Sequence, residues 1–274
     1  MSNQLDSGPV RTAHADVVLA SVGERGVLRS FYDEYAAGDL MQDVDGTPEA
    51  RELATRIGPA PGPVLELAAG AGRLTFPFLT LGFEVTALEL STQMLATLQR
   101  RLEDAQPDLR DRCTTVHADM GSFALGKRFP AVVISTGSIN ILDDAERAGL
   151  YASVREHLEP DGRFLFSVLV PGAATSEALE RRQELSGRSG RRYLLHAKVF
   201  PVEKMQEITI YPADETSDPF VVGTSRLRLL EDDQIVRELE QAGFDVIARA
   251  PFAAAEQGYR NVLLVEAALR SDPS

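Results

Sequence analysis

Short apolar runs alternate with stretches of helical period along most of this chain. From Gly26 to Ala37, the positions Val27, Leu28, Phe31, Tyr32 and Tyr35 recur at helical spacing, which predicts an amphipathic helix. Thr47 and Pro48 then open a second helix, as N-cap and first helical residue, which runs to Ile57 and stops at the Pro/Gly-rich run 58–63. Residues 1 to about 20 show no clear period and read as loose or partly helical. Beyond Pro63, strands are predicted near 64–68, 84–88, 113–117, 130–135, 162–169, 243–249 and 261–268. Helices are predicted near 72–80, 91–104, 144–157 and 231–242, with Asp143 and Asp144 capping the third. Such alternation predicts a mostly parallel α/β sheet. The stretch 171–229 breaks the rhythm. It opens on a patternless segment, and then 193–200, 204–211 and 220–229 read as strands of an inserted antiparallel meander. The expected organisation is a helical segment 1–62 serving as a lid, followed by an α/β domain 63–274 that carries the insertion 171–229 on its substrate side.

Candidate chemistry concentrates where the first predicted strand ends. Pro63-Val-Leu-Glu66-Leu-Ala68-Ala-Gly70-Ala-Gly72-Arg73 is an apolar strand breaking into a turn of small residues, and Val85-Thr-Ala-Leu-Glu89-Leu90 is a second strand ending on an acid. Strand, glycine turn, helix, strand and acid is how an α/β sheet holds a nucleoside, with the acid accepting from the ribose hydroxyls. A phosphate-cradling loop needs a lysine and a Ser or Thr after its last glycine, where Arg73 and Leu74 stand here. A dinucleotide site wants Gly or Ala where Thr75 stands, and it gives Glu66 no role. A ligand-free tight turn is the remaining reading of the glycines.

Composition narrows the partners. The formal net charge is −13, which disfavours nucleic acid and suits a cationic ligand. No apolar stretch approaches the roughly 20 residues a membrane-spanning helix needs. Cys113 is the single cysteine, which excludes an internal disulfide, and the opening residues lack the features of a signal peptide. A cytoplasmic setting is the expectation. No Asp/Asn cluster suggests a metal, and His117 and His157 read as structural histidines.

With these motifs the chain resembles the class I S-adenosylmethionine-dependent methyltransferases over nearly its whole length. The family's first motif, acid-x-Gly-x-Gly-x-Gly, is matched by Glu66, Ala68, Gly70 and Gly72, with Ala68 replacing the first glycine. The resemblance implies S-adenosyl-L-methionine as cofactor and a Rossmann-like sheet of seven strands, the last antiparallel. It assigns Glu89 to the ribose hydroxyls, Leu90 and Met94 to the side of the adenine, and Asp119 with Met120 to its edge. Ser135 and Thr136 are then expected to face the methionine part and the substrate. Arg73 is expected either to pair with the cofactor's carboxylate or to sit solvated at a helix start. Tyr32 resembles the tyrosine that closes over the methionine end in small-molecule methyltransferases, whereas Tyr35 fits packing equally well.

Candidates on the substrate side are Tyr32, Asn140, Tyr193 and His196, the last two because the meander roofs the acceptor pocket in relatives. No general base stands out, which favours an amine acceptor over a hydroxyl of high pKa. The stretches 63–73, 85–91 and 112–120 further resemble the methyltransferases of daptide biosynthesis, which dimethylate a C-terminal amine on ribosomally made peptides. The alternatives are N- or O-methylation of a small metabolite, or a cofactor-binding regulatory protein without turnover. Sequence leaves the oligomeric state open.

Overall fold

In the computed structural model, residues 9–32, 39–40, 45–58, 62–135, 137–171, 179–214, 216–252 and 261–270 are described. The chain runs through α1 (Ala13–Val22), β1 (Gly26–Ser30), α2 (Thr47–Ile57), β2 (Val64–Leu67), α3 (Thr75–Thr80), β3 (Val85–Glu89) and α4 (Thr92–Glu103). It continues through α5 (Pro107–Arg110), β4 (Cys113–His117), β5 (Phe129–Ile134), α6 (Asp144–His157) and β6 (Leu158–Val170). Then come β7 (Leu179–Ser186), β8 (Arg192–Phe200), β9 (Met205–Pro212), β10 (Phe220–Arg228), α7 (Asp232–Gln241), β11 (Phe244–Pro251) and β12 (Asn261–Leu269).

Two units result, Asp45–Gly172 with Leu229–Ser274, and Met1–Val44 with Ala173–Arg228. The first contains a seven-stranded sheet of order β11-β12-β6-β5-β2-β3-β4, in which β12 runs antiparallel to both its neighbours. All seven strands predicted for it are present, in the Rossmann-like arrangement with the last strand antiparallel. Its centre is β2, parallel to β3 on one side and β5 on the other. The chain order reverses across β2, so a crevice opens at its carboxyl end, the place where open α/β sheets bind ligands. All four residues of β2 are buried, which is why the strand reads as a continuous apolar run interrupted only by Glu66. Helix α6 starts on a full capping box: Glu146 N–H donates to Asp143 Oδ1 (2.8 Å) and Asp143 N–H to Glu146 Oε2 (2.7 Å).

The second unit is a five-stranded sheet of order β1-β10-β9-β8-β7, with β7 to β10 antiparallel and β1 parallel to β10. Helix α1 covers part of it, packing Ala15 and Val18 against Phe220 and Val222. Here the structure corrects two expectations. The predicted helix from Gly26 begins as a strand, because Val27 and Leu28 pair with Val221 and Val222 in a parallel ladder. The N-terminal segment is therefore not the all-helical lid the pattern suggested. It supplies a strand to the meander's own sheet, and α2 belongs to the other unit. Tyr32 sits in the turn after β1, and Tyr35 lies outside the described residues. The patternless start of the insertion also holds an additional strand, β7, exposed along most of its length and rich in charge. A charged edge of this kind resists pairing with another chain.

Candidate cofactor and active site

The turn after β2 takes left-handed backbone three times, at Ala68 (φ 56°), Gly70 (φ 58°) and Gly72 (φ 90°). Glycine does this without steric cost, but Ala68 carries strain of about 1–2 kcal/mol. The two glycines serve different ends. A Cβ on Gly72 would meet Leu98 Cδ1 at 2.6 Å and the Phe76 ring at 3.0 Å, so this glycine lets α4 and α3 close on the turn. A Cβ on Gly70 would meet only Met94 Cε at 3.5 Å, which leaves space above the turn. Arg101 reaches from α4 to donate to the Ala71 carbonyl while lying over the Phe76 ring.

Glu89 ends β3 beside this turn. Its Oε2 accepts from Gly70 N–H (2.8 Å) and its Oε1 from Ser91 N–H (2.7 Å). Burial pushes its pKa up, and the backbone donors of Ser91 and Gly70 counter this. A carboxylate has about four lone-pair directions, so each oxygen keeps capacity for a hydroxyl donor. The residues expected around it are in place: Leu90 follows, and Met94 is buried in the first turn of α4. His117 Nε2 donates to the Leu90 carbonyl (2.8 Å), a structural role. Asp119 forms a tight turn in which its Oδ1 accepts from Gly121 N–H (2.8 Å), and Met120 is buried in the core behind it.

Glu66 and Arg73 lie on the other flank of the turn. Thr75 Oγ1 donates to Glu66 Oε2 at 2.6 Å, and burial pushes the Glu66 carboxyl up to about 8. Arg73 is neither solvated nor unengaged. Its Nη2 donates to Glu49 Oε2 on α2 and to Ser135 Oγ (3.0 Å) at the end of β5. Glu49 is 2% exposed and was not among the expected site residues. A signal existed, since Glu49, Ala50 and Leu53 share the buried face of α2, and an acid on such a face needs a partner. Thr136 lies outside the described residues.

Three substrate-side candidates are buried and engaged within their own surroundings. Asn140 is 0% exposed, and its amide is clipped to one residue: Nδ2 donates to the Leu169 carbonyl and Oδ1 accepts from Leu169 N–H, both at 2.9 Å. That pairing ties the loop after β5 to β6. Tyr193 is buried among Ile210, Phe31, Leu40, Leu185 and Leu195, with its hydroxyl donating to Asp39 Oδ2 (2.8 Å). Asp39 also accepts from Ser189 N–H (2.9 Å) and Oγ (2.8 Å), anchoring the arginine-bearing loop after β7. His196 is 6% exposed, stacked on His14 with ring centroids 3.8 Å apart, and its Nε2 lies 2.8 Å from Glu180 Oε1. Tyr32 makes an edge-to-face contact with Phe31, at 5.1 Å between centroids. His157 bridges Ser153 and Leu125 by Nδ1–H donating to a carbonyl and Nε2 accepting from an N–H, both at 2.7 Å. Burial pushes the Cys113 thiol up to about 12, so it is no nucleophile at neutral pH.

These residues fit a nucleoside cofactor with an amino-acid tail: an acid with spare acceptor capacity, space above Gly70, and an arginine beside an acid whose second oxygen lacks a partner among the described residues.

A family described as "Methyltransferase domain" matches residues 64–162. A solved structure of the glycopeptide N-methyltransferase MtfA complexed with S-adenosyl-L-methionine is 61% identical, over 96% of this chain and 100% of that one, with a TM-score of 0.68. The dTDP-3-amino-3,4,6-trideoxy-alpha-D-glucopyranose N,N-dimethyltransferase of Streptomyces venezuelae is 34% identical over 135 residues, 47% of this chain and 53% of that protein. The chain thus spans about half the length of the curated relatives it matches. The CcbJ methyltransferase of Streptomyces caelestis, 22% identical over 88% of this chain and 97% of that one with a TM-score of 0.68, shares the fold.

Proposed function

The chain belongs to the S-adenosylmethionine-dependent methyltransferases, and from that premise we propose that it methylates an amine nitrogen of a glycopeptide-type natural product. The observation that carries this reading is identity of 61% along essentially the whole length of a glycopeptide N-methyltransferase. Sugar N,N-dimethyltransferases among the curated relatives also support nitrogen as the accepting atom.

When bound, S-adenosylmethionine supplies a methyl group activated by its sulfonium. In our reading Glu89 holds the ribose hydroxyls, Asp119 accepts from the adenine edge, and Leu90, Met94 and Met120 give the ring an apolar bed. Gly70 keeps the turn low enough for close approach. Ser135, at the end of β5, borders the methionine part. An amine would attack through its neutral lone pair, so one captured as the ammonium first gives a proton to solvent, and the protein's task is alignment. Orientation alone is worth on the order of 7–11 kcal/mol in favourable cases. The net charge of −13 favours capture of a cationic amine.

The test is incubation with methyl-labelled S-adenosylmethionine and three acceptors in parallel: a glycopeptide amine, an amino sugar nucleotide, and a peptide bearing a daptide-type C-terminal amine. The last stays in the panel because of the resemblance at 63–73, 85–91 and 112–120. Label on the glycopeptide nitrogen is the expected result, with mass spectrometry reading whether one or two methyls are added. Label found on a hydroxyl oxygen of these acceptors, with none on nitrogen, would refute the nitrogen assignment.

A further inference from the structure

Glu49 poses a physical problem that the fold alone does not solve. It is 2% exposed, yet only one of its oxygens is used: Oε2 receives Arg73 Nη2, while Oε1 has no hydrogen-bond partner among the described residues. Leaving a carboxylate oxygen buried and unpaired is costly, and native proteins rarely do so without a reason such as a ligand. The placement supplies the reason. Arg73 follows the glycine turn directly, and its Nη2 also donates to Ser135 Oγ, at the end of the strand beside β2. A guanidinium carries five N–H donors, of which Nη2 alone serves Glu49 and Ser135. Next to it, Glu66 is held mostly protonated at neutral pH by its burial. The charges on this flank of the turn are therefore one cation and one anion, side by side and largely out of water.

A buried pair of that kind complements a zwitterion. Resting on the cofactor site proposed above, we infer that Glu49 and Arg73 form a clamp for the amino-acid end of the cofactor, with Glu49 Oε1 accepting from its α-ammonium and Arg73 donating to its α-carboxylate. Inserting a zwitterion adds no net charge and gives the orphaned oxygen a charge-assisted partner, so the desolvation cost of the pair is offset in the bound state. Glu49 is thereby a specificity-determining residue, selecting ligands that carry both the amine and the carboxylate. It also couples α2 to the glycine turn.

The test uses calorimetric titration of the full chain with two ligands: S-adenosylhomocysteine, and its deaminated analogue, which keeps the carboxylate but has hydrogen in place of the amine. Wild type is expected to bind S-adenosylhomocysteine about tenfold or more tightly than the analogue. Glu49→Gln is expected to lose about tenfold for S-adenosylhomocysteine and to bind the analogue within about twofold of wild type. Glu49→Asp, keeping the charge on a shorter stem, is expected to fall between. Equal affinity of wild type for both ligands overturns the clamp whatever the variants do, including a Glu49→Gln that does not fold. So does an equal loss for both ligands in Glu49→Gln, which would mean that Glu49 merely holds Arg73 in place. Failure of wild type to bind either ligand would instead overturn the cofactor site itself.

Discussion

Glu66 offers a measurement in which burial, hydrogen bonding and pH can be separated. The side chain sits in the central strand at 4% exposure, with the Thr75 hydroxyl 2.6 Å away and a pKa raised from an ordinary 4.5 to about 8. An acid whose pKa rises on folding takes up a proton as the chain folds. Its effect on stability is therefore nil below pH 4.5, grows as pH rises between 4.5 and 8, and levels off above 8. At about 1.4 kcal/mol per pKa unit, the penalty is about 2 kcal/mol at pH 6 and up to about 5 kcal/mol at pH 9. Glu66→Gln removes the ionisation but keeps an amide oxygen to accept from Thr75. Urea unfolding of both proteins at pH 6 and pH 9 should show the variant gaining about 2–3 kcal/mol on wild type between the two conditions. Groups that do not feel the Glu66 charge titrate alike in the two proteins and cancel, and Cys113, which does feel it, stays a thiol in the folded wild type up to about pH 12. A stability difference that does not change with pH would refute the argument, because it would place Glu66 in contact with water.

The remaining predictions concern residues around the same sheet. Gly72→Ala should lower stability by about 1–3 kcal/mol through the clash with Leu98 and Phe76, read as a fall in thermal midpoint. Gly70→Ala should cost only the left-handed strain of about 1–2 kcal/mol but weaken S-adenosylhomocysteine binding, since its Cβ occupies space above the turn. Asn140→Ala should cost about 1–3 kcal/mol of stability by orphaning the buried Leu169 N–H, while the Leu169 carbonyl still accepts from Leu230 N–H, with both KM values unchanged in the folded fraction. Arg147, 0% exposed and paired with Glu238 and Asp144, should be costlier: Arg147→Ala leaves Glu238 with only the Tyr151 hydroxyl and the Gln234 amide and empties a buried site, worth about 3 kcal/mol or more in urea unfolding.

Much of the sheet was legible because buried parallel strands read as apolar runs between helical segments, and β2, β3 and β5 are of that kind. Strand β1 was not. Val27, Leu28, Phe31 and Tyr32 suit a helical period and a short strand alike, and the deciding interaction is a ladder with residues 220–224, almost two hundred positions away. Strand β7 escaped for the opposite reason, since Leu-Glu-Arg-Arg-Gln-Glu-Leu-Ser has no apolar alternation to betray it. At the site, the glycines and strand-end acids announced themselves through local backbone need. The engagement of Asn140 and Tyr193 was not legible, because a polar group in a loop or meander reads as available while its partners, Leu169 and Asp39, are remote in sequence. Glu49 was visible in principle as an acid on the core face of α2. Its meaning appears only once Arg73 is seen beside it.

The central claim is that the crevice at the end of β2 binds S-adenosylmethionine through Glu89. Calorimetric titration of S-adenosylhomocysteine into wild type and Glu89→Ala, with thermal melts confirming that both are folded, tests it most directly. The variant loses a charge-assisted acceptor worth about 1.5–3 kcal/mol, so its affinity should fall roughly tenfold or more. Equal dissociation constants for the two folded proteins would contradict the account.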